Sequence, residues 1–470
     1  MENIRVELAE ITLPAFGEPA VEPAITRTEY EDRLRTLMDR AAARGLDALL
    51  VYSDREHSAN LVFLTGFDPR FEEACLVVCP GATPTLIVGN ECWETYANIS
   101  PVPLERRLYQ HFSLLGQDRS QSEPLSQVLR SCGIRQGHHV GVIDWKYFGS
   151  DPEPQPELQP ELWICAPAYL VEAIRSVTGL PPVNATDLLM NPRDGLRAIN
   201  SVDQLACMEY AGATVTNAMR RVMWGLAPGM SEYEAMQQAC VNGMPPSMHP
   251  VLMSGPRVAL GLASPSGRRM QVGEPVMLSI GVWGALSTRL GFLVRERAQL
   301  PPGIRDYVER LVQPYFAAAV EWYELLGIGV RGGELYDVVH RRLGDPFFGL
   351  MPFAGHLIHL DEWVHCPTYP GSKVEMRSGM ALNADIIPAT GGPYASSLIE
   401  DTLALADEPL REAMAARWPE AWSRIQARRA FMREELGIRL KPEVLPLSNL
   451  SAYLPPYLLN PGLGMRVAGR

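Results

Sequence analysis

The segment GHLIHLDEWVH, from Gly355 to His365, holds three histidines (His356, His359, His365) and two carboxylates (Asp361, Glu362) within eleven residues. Imidazoles and carboxylates move protons near neutral pH, and they also ligate divalent ions. Metal binding, acid/base catalysis and a polar loop without chemistry are all open readings. If residues 355–362 are extended, side chains alternate between faces, so His356 and His359 point apart and cannot grip one ion. If the run is helical, it lacks the Glu of the His-Glu-x-x-His zinc pattern. A site here must therefore be completed from other strands. The carboxylates on nearby strand-like runs are Asp385 in GMALNADIIP, and Glu400 and Asp401 in SLIEDTLALA.

The flanking elements follow from periodicity. Residues 28–45 read as an amphipathic helix with Tyr30, Leu34, Leu37, Met38 and Ala41 on one stripe and Gly45 as its stop. LDALLVY, LVFLTG, ACLVVC, TPTLIVG and HVGVID read as strands. Strand and helix signals alternate to about residue 190, which predicts an α/β first domain. Ser201 and Gln204 open a long helix, and Ser231 with Glu234 caps another. Residues 276–294 read as two strands around a glycine-containing bend, and 303–326 as a long helix. The tail is helical to about 436 and then proline-rich.

The chain has 470 residues, 47% hydrophobic and 20% charged, which is globular composition with room for two or three domains. The net charge of −12, with no basic block, argues against nucleic acid and anionic membranes as partners. No apolar run approaches the roughly 18 residues of a membrane span. The N-terminus carries acids where a secretory signal needs cations. The eight cysteines are scattered, and Cys75 and Cys79, on one face of a strand-like run, read as core thiols, so a cytoplasmic location is expected.

Several segments together resemble the creatinase/prolidase/aminopeptidase P superfamily, the pita-bread fold. They are RAAARGLDALLVYSDREHSANLVFLTGF, LRAINSVDQLACMEYAGATVTNAM, SGPRVALGLASP, GHLIHLDEW, GMALNADIIP and LIEDTLAL. The resemblance implies a creatinase-like N-terminal domain over 1–190, a pita-bread domain over 195–440 and a C-terminal extension over 441–470. It also implies a homodimer. Metallopeptidases of the superfamily hold two ions with two Asp, one His and two Glu. The matching positions here are Ser279, Thr288, His356, Asp385 and Glu400. A substrate-side histidine position falls at Leu262, and a second catalytic histidine position falls at Trp363.

With neutral hydroxyls at two ligand positions, a dinuclear metal is not expected. One divalent ion on His356, Asp385 and Glu400 remains open. The resemblance places His356, Asp385 and Glu400 at the pocket centre as catalytic candidates. His249, Arg289 and His365 are substrate-binding candidates, each against a bland alternative: a solvated loop histidine, a structural ion pair and a surface histidine. The leading expectation is a creatinase-like, metal-independent enzyme cleaving a C–N bond of a small amino-acid-like or dipeptide-like substrate. The alternatives are a catalytically inactive binding protein of the same fold and an Xaa-Pro metallopeptidase.

Overall fold

The computed structural model describes residues 4–148 and 159–470. The chain forms two compact units, Ile25–Arg197, and Met1–Ala24 with Ala198–Arg470. In the first, the helix Arg27–Ala43 starts at Thr26, whose side chain accepts from Glu29 N, and ends before Gly45 in the left-handed region. A mixed six-stranded sheet runs in the order Glu105–Leu108, Thr85–Val88, Ala74–Val78, Ala48–Ser53, Val140–Ile143, Val183–Asn184. One expectation fails here. LVFLTG is not a strand but part of the helix Ala59–Thr65, closed by Gly66 at φ 69°. All seven residues of that helix are buried, so its apolar run has no periodicity to separate helix from strand.

The second unit carries the long helix Val202–Gly225, opened by Ser201 Oγ accepting from Gln204 N. Leu205, Met208, Val215, Met219 and Val222 are all buried along it. The helix packs on the Ala285–Phe292 strand. That strand belongs to a four-stranded antiparallel sheet in the order Leu398–Glu400, Ala285–Phe292, Pro275–Val282, Val251–Ser254. A second four-stranded sheet has the order His356–Leu357, Ala381–Asn383, Thr402–Leu405, Val444–Pro446. The chain passes from one sheet to the other at Asp401, between Glu400 and Thr402.

Two boundaries differ from the sequence reading. Residues 4–24 do not join the N-terminal unit, because Val6–Glu10 pairs with Leu463–Val467. The span 441–470 is not an appendage, because Val444–Pro446 is a sheet strand and Tyr453 is fully buried. A strand formed from the two chain ends has no local sequence signal; only long-range pairing defines it.

Arg289 and Asp401 are both 2% exposed and form an ion pair at 2.8 Å. Arg289 also donates to the carbonyls of Thr288, Glu400, Leu450 and Tyr453, while Ala452 N donates to Asp401. Removing one partner of such a pair leaves an uncompensated buried charge, at a cost of about 3–5 kcal/mol. Asp401→Ala is therefore expected to lower the urea unfolding midpoint sharply. A midpoint unchanged from wild type would show that the pair contributes nothing.

Candidate active site

A cavity of about 200 Å³ opens in the second unit. Its polar lining is Ser279, Thr288, His356, Glu362, Asp385 and Glu400. Strand register explains most of this set. In the first sheet, Ser279 pairs with Thr288 and Thr288 pairs with Glu400, so the three lie in one cross-strand row. In the second sheet, His356 pairs with Asn383 and Asn383 with Thr402, a second row. The two rows meet on either side of Asp401. Residues 400 and 402 share a face, and 401 points the other way, as strand alternation requires.

Hydrogen bonds join the rows. The Ser279 and Thr288 hydroxyls lie 2.7 Å apart, and Thr288 donates to Glu400 Oε2 at 2.6 Å. Asn383 Nδ2 donates to Glu400 Oε1 at 3.1 Å and its carbonyl accepts from Thr402 Oγ1 at 2.8 Å. His356 Nε2 lies 3.3 Å from Glu400 Oε1, and Nδ1 lies 3.3 Å from Leu357 O. Both ring contacts are donor contacts only in the doubly protonated ring. The backbone delivers His356 through Gly355 at φ 106°, where an added Cβ would sit 2.8 Å from Asn383 O. No side chain fits there.

Asp385 is buried and faces the cavity. Its nearest ionic partner is His356 Nε2 at 3.9 Å, too far for a hydrogen bond. Burial, then the charges of Glu400 and Glu362, push its carboxyl well above the ordinary Asp range. Burial, then Glu400, also raises Glu362. Trp363 stacks on His356 with ring centroids 4.3 Å apart and closes one wall with Phe353.

The structure thus brings His356, Asp385 and Glu400 together, with one potential ligand atom of each within 4.8 Å of the others. It does not bring the other candidates in. Arg289 points to the back of the sheet and is held by Asp401, so its structural ion-pair reading applies. His249 is exposed and outside the cavity lining, although its neighbour Met248 is part of it. The His365 carbonyl accepts from Leu357 N at 2.7 Å, and the residue does not line the cavity. His359 is buried away from it. Leu262 and Trp363, at the positions matched to the superfamily's other histidines, do line it.

Two participants escaped the sequence reading. Neither Glu362 nor Asn383 is among the residues that the sequence singles out as catalytic, substrate-binding or metal-ligating. Asn383 sits two residues before Asp385 in a run that is buried on both faces, so one sequence offers no alternation that would single it out. Glu362 reaches the cavity by a turn after His359, where no periodicity exists to read.

Residues 206–405 match the family model Metallopeptidase family M24, a span that contains every polar residue of the cavity lining. The chain has the pita-bread fold. Solved structures similar to it include dipeptidase PepE from Mycobacterium ulcerans, at 18% identity and TM-score 0.59, covering 83% of this chain and 95% of that one. Prolidase from Pyrococcus horikoshii OT3 is similar at 16% identity and TM-score 0.60, covering 80% and 95%. X-Pro aminopeptidase from Thermotoga maritima MSB8 is similar at 14% identity and TM-score 0.59, covering 80% and 95%. At these identities the likeness is one of fold. No curated protein matches the chain. Among the described residues, no helix is long and apolar enough to cross a membrane.

A metal pair does not fit this donor set. Two ions need bridging carboxylates to offset their charge. Ser279 and Thr288 offer neutral hydroxyls already hydrogen-bonded to each other and to Glu400. Both Glu400 oxygens are engaged by the protein.

The state of Asp385 has a consequence for stability. Its folded pKa is raised, so above the ordinary Asp value of 3.8 the native state holds a proton that the unfolded chain has released. Stability contributed by this group falls as pH rises through that window. In chelator-treated protein, Asp385→Asn should raise the thermal midpoint at neutral pH and flatten its decline from acid to neutral. A parallel decline in wild type and variant would contradict the assignment.

Proposed function

We propose that the cavity is the active site of a hydrolase that cleaves a C–N bond in a small amino-acid-like or dipeptide-like molecule without a dinuclear metal centre. The row Ser279–Thr288–Glu400 carries this reading, because it sets neutral, mutually satisfied hydroxyls where two anionic ligands would have to stand. The M24 match supports the hydrolase class. So do the names dipeptidase, prolidase and X-Pro aminopeptidase borne by proteins of similar fold.

Hydrolysis of a C–N bond needs a proton given to the leaving nitrogen and one taken from the attacking water. Asp385 is placed to give, since its surroundings keep the carboxyl protonated where an ordinary Asp has ionised. Glu400 is the acceptor in this reading, with the His356 ring 3.3 Å away to stabilise and relay the proton. Asn383 and Thr288 hold Glu400 in position for that exchange.

A second reading rests on one observation. His356, Asp385 and Glu400 have ligand atoms within 4.8 Å of one another, a residue set that suits one divalent ion. Such an ion would supply Lewis acidity and a more acidic water.

Turnover of a panel of dipeptides, creatine-like guanidines and cyclic amidines tests the proposal. His356→Ala is expected to lower it by about 10²–10⁴-fold, the span of a general acid/base. Chelator is expected to leave wild-type turnover intact. Loss with chelator and recovery with manganese would favour the single-ion reading, while wild-type turnover in His356→Ala would put the active site elsewhere. Ser279→Asp combined with Thr288→Asp restores two anionic ligands and should raise manganese affinity, read by calorimetry. Unchanged affinity in the double variant would mean that these two positions do not limit metal binding.

A further inference from the structure

The cavity opens through an apolar rim. Leu262 lines the cavity and is 77% exposed, and Trp363 lines it and is 40% exposed. Leu260, two residues before Leu262, is 66% exposed. Between the two leucines Gly261 sits at φ 76°, and a Cβ added there would meet nothing within 4 Å, so this stretch of chain stands in the open. One exposed leucine is ordinary, but exposed apolar side chains continuous with a cavity mark a binding surface. The rim is also held in place. Glu232 is fully buried, and its carboxylate accepts from N and Oγ of Ser254, both at 2.8 Å, and from N and Oγ of Ser266 at 2.9 and 2.7 Å. Arg257 donates to the same carboxylate and, at 2.8 Å, to Ser264 O. One buried carboxylate thus ties down both ends of the segment that carries Leu260 and Leu262. Trp363 is fixed by its stack on His356 and by the edge contact of Phe353, with ring centroids 5.2 Å apart. A surface ordered before binding loses little entropy when a ligand covers it. The enclosed volume of about 200 Å³ lies below the roughly 300–1,000 Å³ that encloses a drug-sized ligand, so a molecule with its polar end inside leaves its remaining body at the rim.

We propose that this rim is a subsite for an uncharged apolar body, an aliphatic chain of several carbons or an aromatic ring, on the molecule whose polar end enters the cavity, and that Leu262 and Trp363 are specificity-determining residues for it. This rests on reading the cavity as the working site of the chain, and it narrows the substrate to one with an apolar side chain. Leu262 discriminates because it belongs to both surfaces, lining the cavity and facing solvent. Glu232 is a positioning residue, since it touches only the segment that presents the leucines.

Calorimetric titration of full-length protein with uncharged N-acetyl amino-acid amides tests the proposal. The side chain runs from methyl through n-butyl to n-hexyl, and a chain of n-butyl length ending in a hydroxyl is the polar comparator. Full burial of one methylene tightens binding about fourfold, and a rim covers one side of the chain, so Kd should fall about twofold or more per added methylene. The hydroxyl-ended chain should bind more weakly than n-butyl. Leu262→Ser should flatten the dependence on chain length while leaving the thermal midpoint near wild type, because Leu262 is exposed. Leu262→Met, which stays apolar, should keep the dependence. A Kd that does not change with chain length, or a dependence that survives intact in Leu262→Ser, would overturn the proposal. So would a series in which no member binds. A change of mass in Leu262→Ser by light scattering, with amide binding unaltered, would make a second copy of the chain the occupant of the rim and overturn it too. The readout does not depend on turnover. Chain-length dependence that needs Leu262 in a protein that hydrolyses nothing upholds this inference and removes the hydrolase reading. Hydrolysis indifferent to side-chain length does the reverse.

Discussion

The buried pair of Arg289 and Asp401 is the constraint on which the rest of the second unit depends. Arg289 follows Thr288 in one strand, and Asp401 follows Glu400 at the point where the chain changes sheets. Because strand side chains alternate, fixing 289 and 401 on one face fixes 288 and 400 on the other. The guanidinium also gathers carbonyls from Leu450 and Tyr453, so the C-terminal segment is tied to the same point. An arginine suits this role because its planar fork donates in several directions at once and stays charged. The desolvation cost of burying it is met by five oxygen-bearing partners rather than by one.

On the cavity side of that clamp, charge is balanced differently. Glu400 receives hydrogen bonds from Thr288 and Asn383 and has the imidazole of His356 at 3.3 Å, so both of its oxygens are partnered by the protein. Asp385 receives none, and burial with its acidic neighbours pushes its carboxyl well above the ordinary Asp range. The two carboxyls thus stand in different surroundings, Glu400 among hydrogen-bond donors and Asp385 without one. On the Glu400 side the donors are the hydroxyl of Thr288, itself paired with Ser279, and the amide of Asn383.

Much of this was legible in the chain itself. The helix at 27–43, the strand pair around Gly284 and the helix opened by Ser201 carry local signals: caps, turn glycines and periodic apolar residues. The motif order around His356, Asp385 and Glu400 pointed to one site, and these three residues do meet. Ala59–Thr65 was misread because a fully buried helix shows no amphipathic pattern. Arg289 and Asp401 were visible as charged residues in apolar strands, but which face each occupies depends on a register set by partners more than 100 positions away. The pairing of Val6–Glu10 with Leu463–Val467 lies beyond any local rule for the same reason.

What the sequence by itself determined is the chemistry available: a histidine after an obligatory glycine, carboxyls at 385 and 400, and hydroxyls instead of carboxylates at 279 and 288. Residue type is a covalent property and needs no partner to be read. Only the tertiary structure decided which of these groups share a cavity and which of them find hydrogen-bond partners there. It excluded His249, Arg289 and His365 and admitted Glu362, and it satisfied Glu400 while leaving Asp385 without a donor. Burial, distance and hydrogen-bond supply arise from strand register and loop path, and these are settled by contacts between segments far apart in the chain.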